Sequence, residues 1–131
     1  MQPCGIFMVK YHIFYNNINY LDEYEGLVLD KHTASPIGNA MIEVDILFLA
    51  NHGIITTGET VADGFNSLYY FEKAAETYLT ALSTNKELNI VSHEIAEKTA
   101  QETADYPINL ARLFLNQIRF ILDKEEPDYI N

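Results

Sequence analysis

Of the residues in this chain able to do chemistry, His52 is placed to best effect: Asn51-His52-Gly53 stands between the mainly apolar run 46–50 and Ile54-Ile-Thr-Thr57. Two strand-like runs joined through a glycine-containing connection read as a β-hairpin over 46–57, with Gly53 accepting the positive φ that such a loop needs. An imidazole at a strand end can be aimed at a metal or a substrate with little loss of side-chain freedom. One imidazole is still too few, because a catalytic zinc takes three protein ligands. On local chemistry alone, a structural or merely exposed turn histidine stands beside a ligand as a reading of His52.

The other three histidines, His12, His32 and His93, lie far apart in sequence. None forms the His-x-His pair that sets two imidazoles on one face of a strand. His12 sits among aromatics as a packed or surface residue. His32 falls in the polar Asp30-Lys-His-Thr33 turn and His93 in the first turn of a helix, both solvated. The chain has no glycine-rich phosphate loop, His-Glu-x-x-His, Cys-x-x-Cys or Gly-x-Ser-x-Gly, so several enzyme classes lose their self-sufficient motifs.

The elements that must position these residues follow from pattern. From Ile13 to Leu29 the chain is aromatic and β-branched, interrupted at Asn16-Asn17 and Asp22-Glu23, which predicts short strands with turns. Ser35-Pro36 predicts a short helix to about Glu43, with serine as N-cap and proline at the first helical position. Thr60-Val-Ala-Asp63 resembles a capping box, and Phe65, Leu68, Ala75, Tyr78, Leu79 and Leu82 recur at helical spacing, predicting a long helix from Val61 to about Ser83. Its polar residues Asp63, Glu72, Lys73 and Glu76 read as a solvated face. A third helix is expected from Ser92. A fourth is expected from Pro107, with Leu110, Phe114, Leu115, Ile118, Ile121 and Leu122 as a core stripe, and Pro127 ends regular structure.

The chain has 131 residues, 48% of them hydrophobic. That suits a single globular domain over 1–131, and no repeat or linker divides it. The formal charge of −11 repels phosphate backbones and anionic membrane surfaces, so neither nucleic acid nor a membrane is an expected partner. Cys4 is the only cysteine, which excludes an intrachain disulfide and fits a reducing cytoplasm. No run approaches the roughly 20 apolar residues of a spanning helix. The aromatic group Tyr11, Phe14, Tyr15, Tyr20 and Tyr24 suits a core before an interface or a pocket wall.

The segment Leu49-Ala-Asn-His-Gly-Ile-Ile-Thr-Thr-Gly-Glu-Thr-Val-Ala-Asp-Gly-Phe65, continuing through Tyr69-Tyr-Phe-Glu-Lys-Ala-Ala-Glu76, closely resembles the class II aldolase/adducin family. In that family an Asn-His-Gly turn leads to a Gly-Glu-Thr helix start and an aromatic-x-Glu-x-Ala helix. Cys4-Gly5, Phe14-Tyr15, Ile18, Tyr20 and Tyr24-Glu-Gly26 look like its stretch before the hairpin. Arg119-Phe-Ile-Leu-Asp-Lys-Glu-Glu-Pro-Asp-Tyr129 resembles the C-terminal end of its adducin-like bacterial branch, so the resemblance covers essentially the whole chain.

The resemblance implies an α/β fold, here an incomplete α/β/α domain with a short, mainly antiparallel sheet and about four helices. It also implies a zinc site, homo-oligomeric assembly and a small carbonyl or sugar-type substrate. His52 takes the position of the family's third metal-binding histidine. The other two ligands, from a His-x-His segment, and the catalytic carboxylate lie upstream of the position matching Cys4-Gly5, and Met1 falls near the middle of the family domain. The expectation is therefore a truncated domain that self-associates or needs a complementing upstream fragment. No catalytic residue is assigned, because nothing local distinguishes one of the nine tyrosines. Two functions remain open. One is a lyase in which zinc, as a Lewis acid, stabilises the carbanion-like intermediate of aldol cleavage. The other is a non-catalytic remnant or an adducin-type assembly module.

Overall fold

The computed structural model describes residues 14–22 and 30–130. Cys4, Tyr11, His12, Tyr24 and most of the expected strands between 13 and 29 lie outside the described residues.

The described sheet has three strands: β1 (Ile18–Leu21), β2 (Ile46–Leu49) and β3 (Gly53–Thr56), in the order β1-β2-β3. β2 and β3 form the expected hairpin, antiparallel with Ile46 opposite Thr56 and Leu49 opposite Gly53. β1 joins β2 in parallel, Ile18 opposite Ile46 and Leu21 opposite Leu49. The sheet is thus mixed, and its antiparallel character rests on the hairpin alone. Parallel pairing requires a crossover, which here contains helix α1 (Lys31–Ala40).

β2 is the central strand, which explains its composition. Ile46 and Leu47 point to opposite faces and both are fully buried. Burying each contributes about 1.5–3 kcal/mol. On one face Ile46 joins Phe14 and Phe71 in a cluster flanked by Ile18, Phe48, Ile54 and Tyr70. Phe71 meets Phe14 and Phe48 edge-on, with ring centroids 5.5 and 5.3 Å apart. Phe71 and Tyr70 belong to α2 (Val61–Ser83), so this helix covers that face. On the other face Asn19, opposite Leu47, donates through Nδ2 to the Ala40 carbonyl at the end of α1, at 3.0 Å. The layers are therefore helix, sheet, helix.

α1 corrects the expected start at Ser35. Asp30 is the N-cap, its side chain accepting from the Thr33 N–H at 2.9 Å while Thr33 closes a reciprocal capping box. His32 consequently lies in the first helical turn. Pro36 is inside the helix, where its missing N–H leaves the His32 carbonyl without an intrahelical partner. Ser35 is likewise internal and donates to the Lys31 carbonyl at 2.6 Å.

α2 runs over the expected residues. α3 (His93–Ala104) is capped by Ser92, as expected, and buries Ala96 completely. α4 (Leu110–Glu125) starts three residues after Pro107, because Asn109 is the residue whose side chain accepts from the Arg112 N–H, at 2.7 Å. Phe114 of α4 packs on Phe65, Tyr69 and Tyr70 of α2. Part of each expected core stripe faces outward: Leu79 of α2 and Leu110 and Ile121 of α4 are exposed. Pro127 ends α4 but begins a 3-10 turn, Pro127–Ile130.

Candidate functional site

The turn carrying His52 is built by backbone chemistry. The His52 N–H donates to the Leu49 carbonyl at 3.1 Å, closing a four-residue turn. Its left-handed residue is Asn51, at φ 58°, and Gly53, at φ 159°, is close to extended. Asn therefore carries the role expected of glycine, as its short side chain tolerates this conformation at the third turn position. Beside the turn the Ala50 N–H donates to the Leu21 carbonyl at 3.0 Å, so the end of β1 braces the loop. His52 is exposed at the tip.

The opposite end of the hairpin is locked by side chains. Asp45 donates its N–H to Asn17 Oδ1 at 2.7 Å and accepts from Asn17 Nδ2 at 3.0 Å. Thr57 returns to the Asp45 carbonyl through its N–H at 2.8 Å. β3 then hands over to α2: Thr56 Oγ1 donates to the Gly64 carbonyl at 3.0 Å.

At the start of α2, Thr60 is the N-cap and Asp63 closes the capping box, accepting from the Thr60 N–H at 2.9 Å and the Thr60 hydroxyl at 2.6 Å. Asp63 is thus a structural carboxylate, half-buried, and not part of a solvated face. Glu72, Lys73 and Glu76 are exposed as expected, and a 2.8 Å ion pair between Lys73 and Glu76 raises the lysine pKa and lowers that of the glutamate.

Strand β3 separates the two ends by roughly 10 Å, at about 3.3 Å per residue. Glu59 and Asp63 therefore do not join His52. Among the described residues, no group of three His, Cys, Asp or Glu side chains is arranged to hold a metal ion. The residues described here do not by themselves fit a zinc centre. His32 lies on α1, and His93 accepts or donates at 2.7 Å through Nδ1 with the Tyr15 hydroxyl, far from the His52 turn in sequence and on a different element.

That Tyr15–His93 contact, across 78 positions, had no signal in the sequence. The structural role of Asp63 did have one, since it stands three residues after Thr60 in a capping-box pattern. No helix among the described residues is long and apolar enough to cross a membrane.

Comparison with known proteins places this arrangement. The profile of the family described as Class II Aldolase and Adducin N-terminal domain matches residues 2–79, more than half of the chain. An adducin-related protein of Schizosaccharomyces pombe is 30% identical over 100 residues, 73% of this chain and 31% of its own length. A putative aldolase class 2 protein of Caulobacter vibrioides is 25% identical over 112 residues, 82% of this chain and 42% of its own length. The crystal structure of an aldolase II superfamily protein from Pseudomonas syringae superposes with a TM-score of 0.84 at 22% identity, covering 98% of this chain and 51% of that one. L-fuculose 1-phosphate aldolase from Glaciozyma antarctica gives a TM-score of 0.63 at 22% identity, over 77% of this chain and 36% of that one. The chain spans a third to a half of the length of these proteins, and the shared fold extends past residue 79, where the profile match ends. With its His52 hairpin, capped α2 and matched residues 2–79, the chain belongs to the class II aldolase and adducin N-terminal domain family.

Proposed function

We propose that this chain carries part of a class II aldolase-type lyase site, in which His52 is one ligand of a divalent metal, zinc by family resemblance. The remaining ligands and a catalytic acid come from beyond the described residues, and the substrate is a small carbonyl or sugar-type compound. The observation that supports this reading is the placement of an exposed imidazole on a turn braced at both ends, with no three-residue ligand group among the described residues. A lone imidazole binds zinc weakly, so independent catalysis is not expected.

The test is zinc content after dialysis against a mild chelator. The chain alone should retain far less than one equivalent. Supplied with a polypeptide carrying a His-x-His segment and a carboxylate, it should retain stoichiometric zinc, lost in His52→Ala. Stoichiometric zinc held by the chain alone, or metal-dependent cleavage of a sugar-phosphate-like aldol by it, would overturn the requirement for a complement.

A second reading, a non-catalytic assembly module of adducin type, is favoured by large apolar side chains left uncovered on α2 and α4, among them Leu79, Leu113 and Phe120. Such surface drives association. Light scattering over a concentration series separates the outcomes: growth in mass supports assembly, and a monomer throughout removes it.

A further inference from the structure

A cleft of about 640 Å³ opens where the α3–α4 connection crosses the first half of α2. Asp63, Asn66 and Tyr70 line it from α2, and Tyr106, Pro107 and Leu110 from the connection and the start of α4. It lies at the α2 end of β3, away from His52, and is independent of the metal reading. Its lip is firm. The Asp105 N–H donates to the Gln101 carbonyl at 2.9 Å, Gln101 Nε2 donates to Asp105 Oδ2 at 3.0 Å, and Asn109 caps α4 at the other side. Tyr70 is wedged between Tyr69 and Phe114, at centroid distances of 5.3 and 5.8 Å, which fixes one aromatic wall. Tyr106 is 54% exposed and forms the other.

The lining combines two phenol rings, an amide and one carboxylate, with no lysine, arginine or histidine. Asp63 uses Oδ2 for the α2 cap, and the chain as a whole carries a charge of −11, which disfavours an anionic ligand. A helix would bring no spare backbone groups to Asn66, since its own are paired internally. An extended polyproline segment keeps its carbonyls available, packs its rings on aromatic walls and loses little entropy on docking. A basic side chain on such a segment would meet Asp63. We propose that this cleft docks an extended, proline-containing segment of another polypeptide that carries one basic residue.

The experiment is an NMR titration of the full chain with a blocked synthetic peptide of alternating prolines and leucines ending in one arginine. Saturable shifts of the Asn66, Tyr70 and Tyr106 amides are expected, with Kd below about 1 mM. Tyr106→Ala should weaken binding about tenfold, as loss of an aromatic anchor does. Asn66→Ala should also weaken it, and the Arg-to-Glu peptide should bind less well, all without change in the helical spectrum. Four results would overturn the proposal: no saturable shifts, equal binding of a proline-free peptide, indifference to both substitutions, or shifts at these residues from a free hexose or inorganic phosphate but not from the peptide.

Discussion

Gly58 stands so close to Asp63 that a methyl group added at Gly58 would come within 2.5 Å of the Asp63 Cβ and 2.9 Å of the Gly64 N. The loop leaving the hairpin is thus pressed against the first turn of α2. This relationship explains why a glycine precedes the cap: the contact excludes any side chain, whatever the backbone angles.

Gly58→Ala is expected to destabilise by about 1–3 kcal/mol, the range for an added methyl in a packed site. Thr60→Ala, which removes the cap and leaves the packing, should cost about 1 kcal/mol. Urea denaturation of both variants checks the order, and a neutral Gly58→Ala would show that the first turn yields easily.

Legibility of the fold tracked how local each cause was. α2 and α3 were readable because Thr60 with Asp63, and Ser92, are caps within three residues of what they bond. α1 was misread because Pro36 mimics a first-turn proline, while the Asp30 and Thr33 capping box uses Thr in place of the usual acid or amide. The parallel pairing of Ile18 with Ile46 depends on a crossover that no short pattern encodes. At the candidate site, His52 and its hairpin were visible, but the left-handed residue was assigned to Gly53 when Asn51 adopts that conformation. The outward-facing Leu79 and Leu110 look like core in sequence, because periodicity marks an apolar face without saying what covers it.

The α1 cap should be pH-dependent. Hydrogen bonds from the Thr33 backbone and side chain hold the Asp30 pKa below its ordinary 3.8. A depressed folded-state pKa contributes stability that is present above the unfolded value and lost as pH falls through the folded one. Amide exchange in the first turn of α1 is therefore expected to accelerate below pH 3.8. In Asp30→Ala it should already be fast at neutral pH and show no such step.

The 2.7 Å bond between the Tyr15 hydroxyl and His93 Nδ1 ties the N-terminus of α3 to the segment before β1. Tyr15→Phe keeps the ring and removes the bond, which is worth about 0.5–1.5 kcal/mol net. Hydrogen exchange should rise in α3 selectively and leave α2 unchanged. A uniform rise would mean that α3 opens only with the whole domain.

His52 and Ile46 sit three positions either side of Leu49 on one hairpin and should respond oppositely to truncation. Ile46 is fully buried in the central strand, so Ile46→Ala should cost about 2–5 kcal/mol through lost contacts and the cavity left behind. His52 is exposed at the tip, and the turn beneath it is closed by its backbone N–H, which alanine retains. His52→Ala should therefore stay within about 0.5 kcal/mol of the parent. A histidine that can be removed without loss of stability, on a turn held by Leu49 and Leu21, owes its position to what the imidazole binds. If instead His52→Ala unfolds the hairpin, the residue is structural and the ligand reading fails. Thermal denaturation of the two variants beside the parent, without added metal, decides between these before any assay of activity.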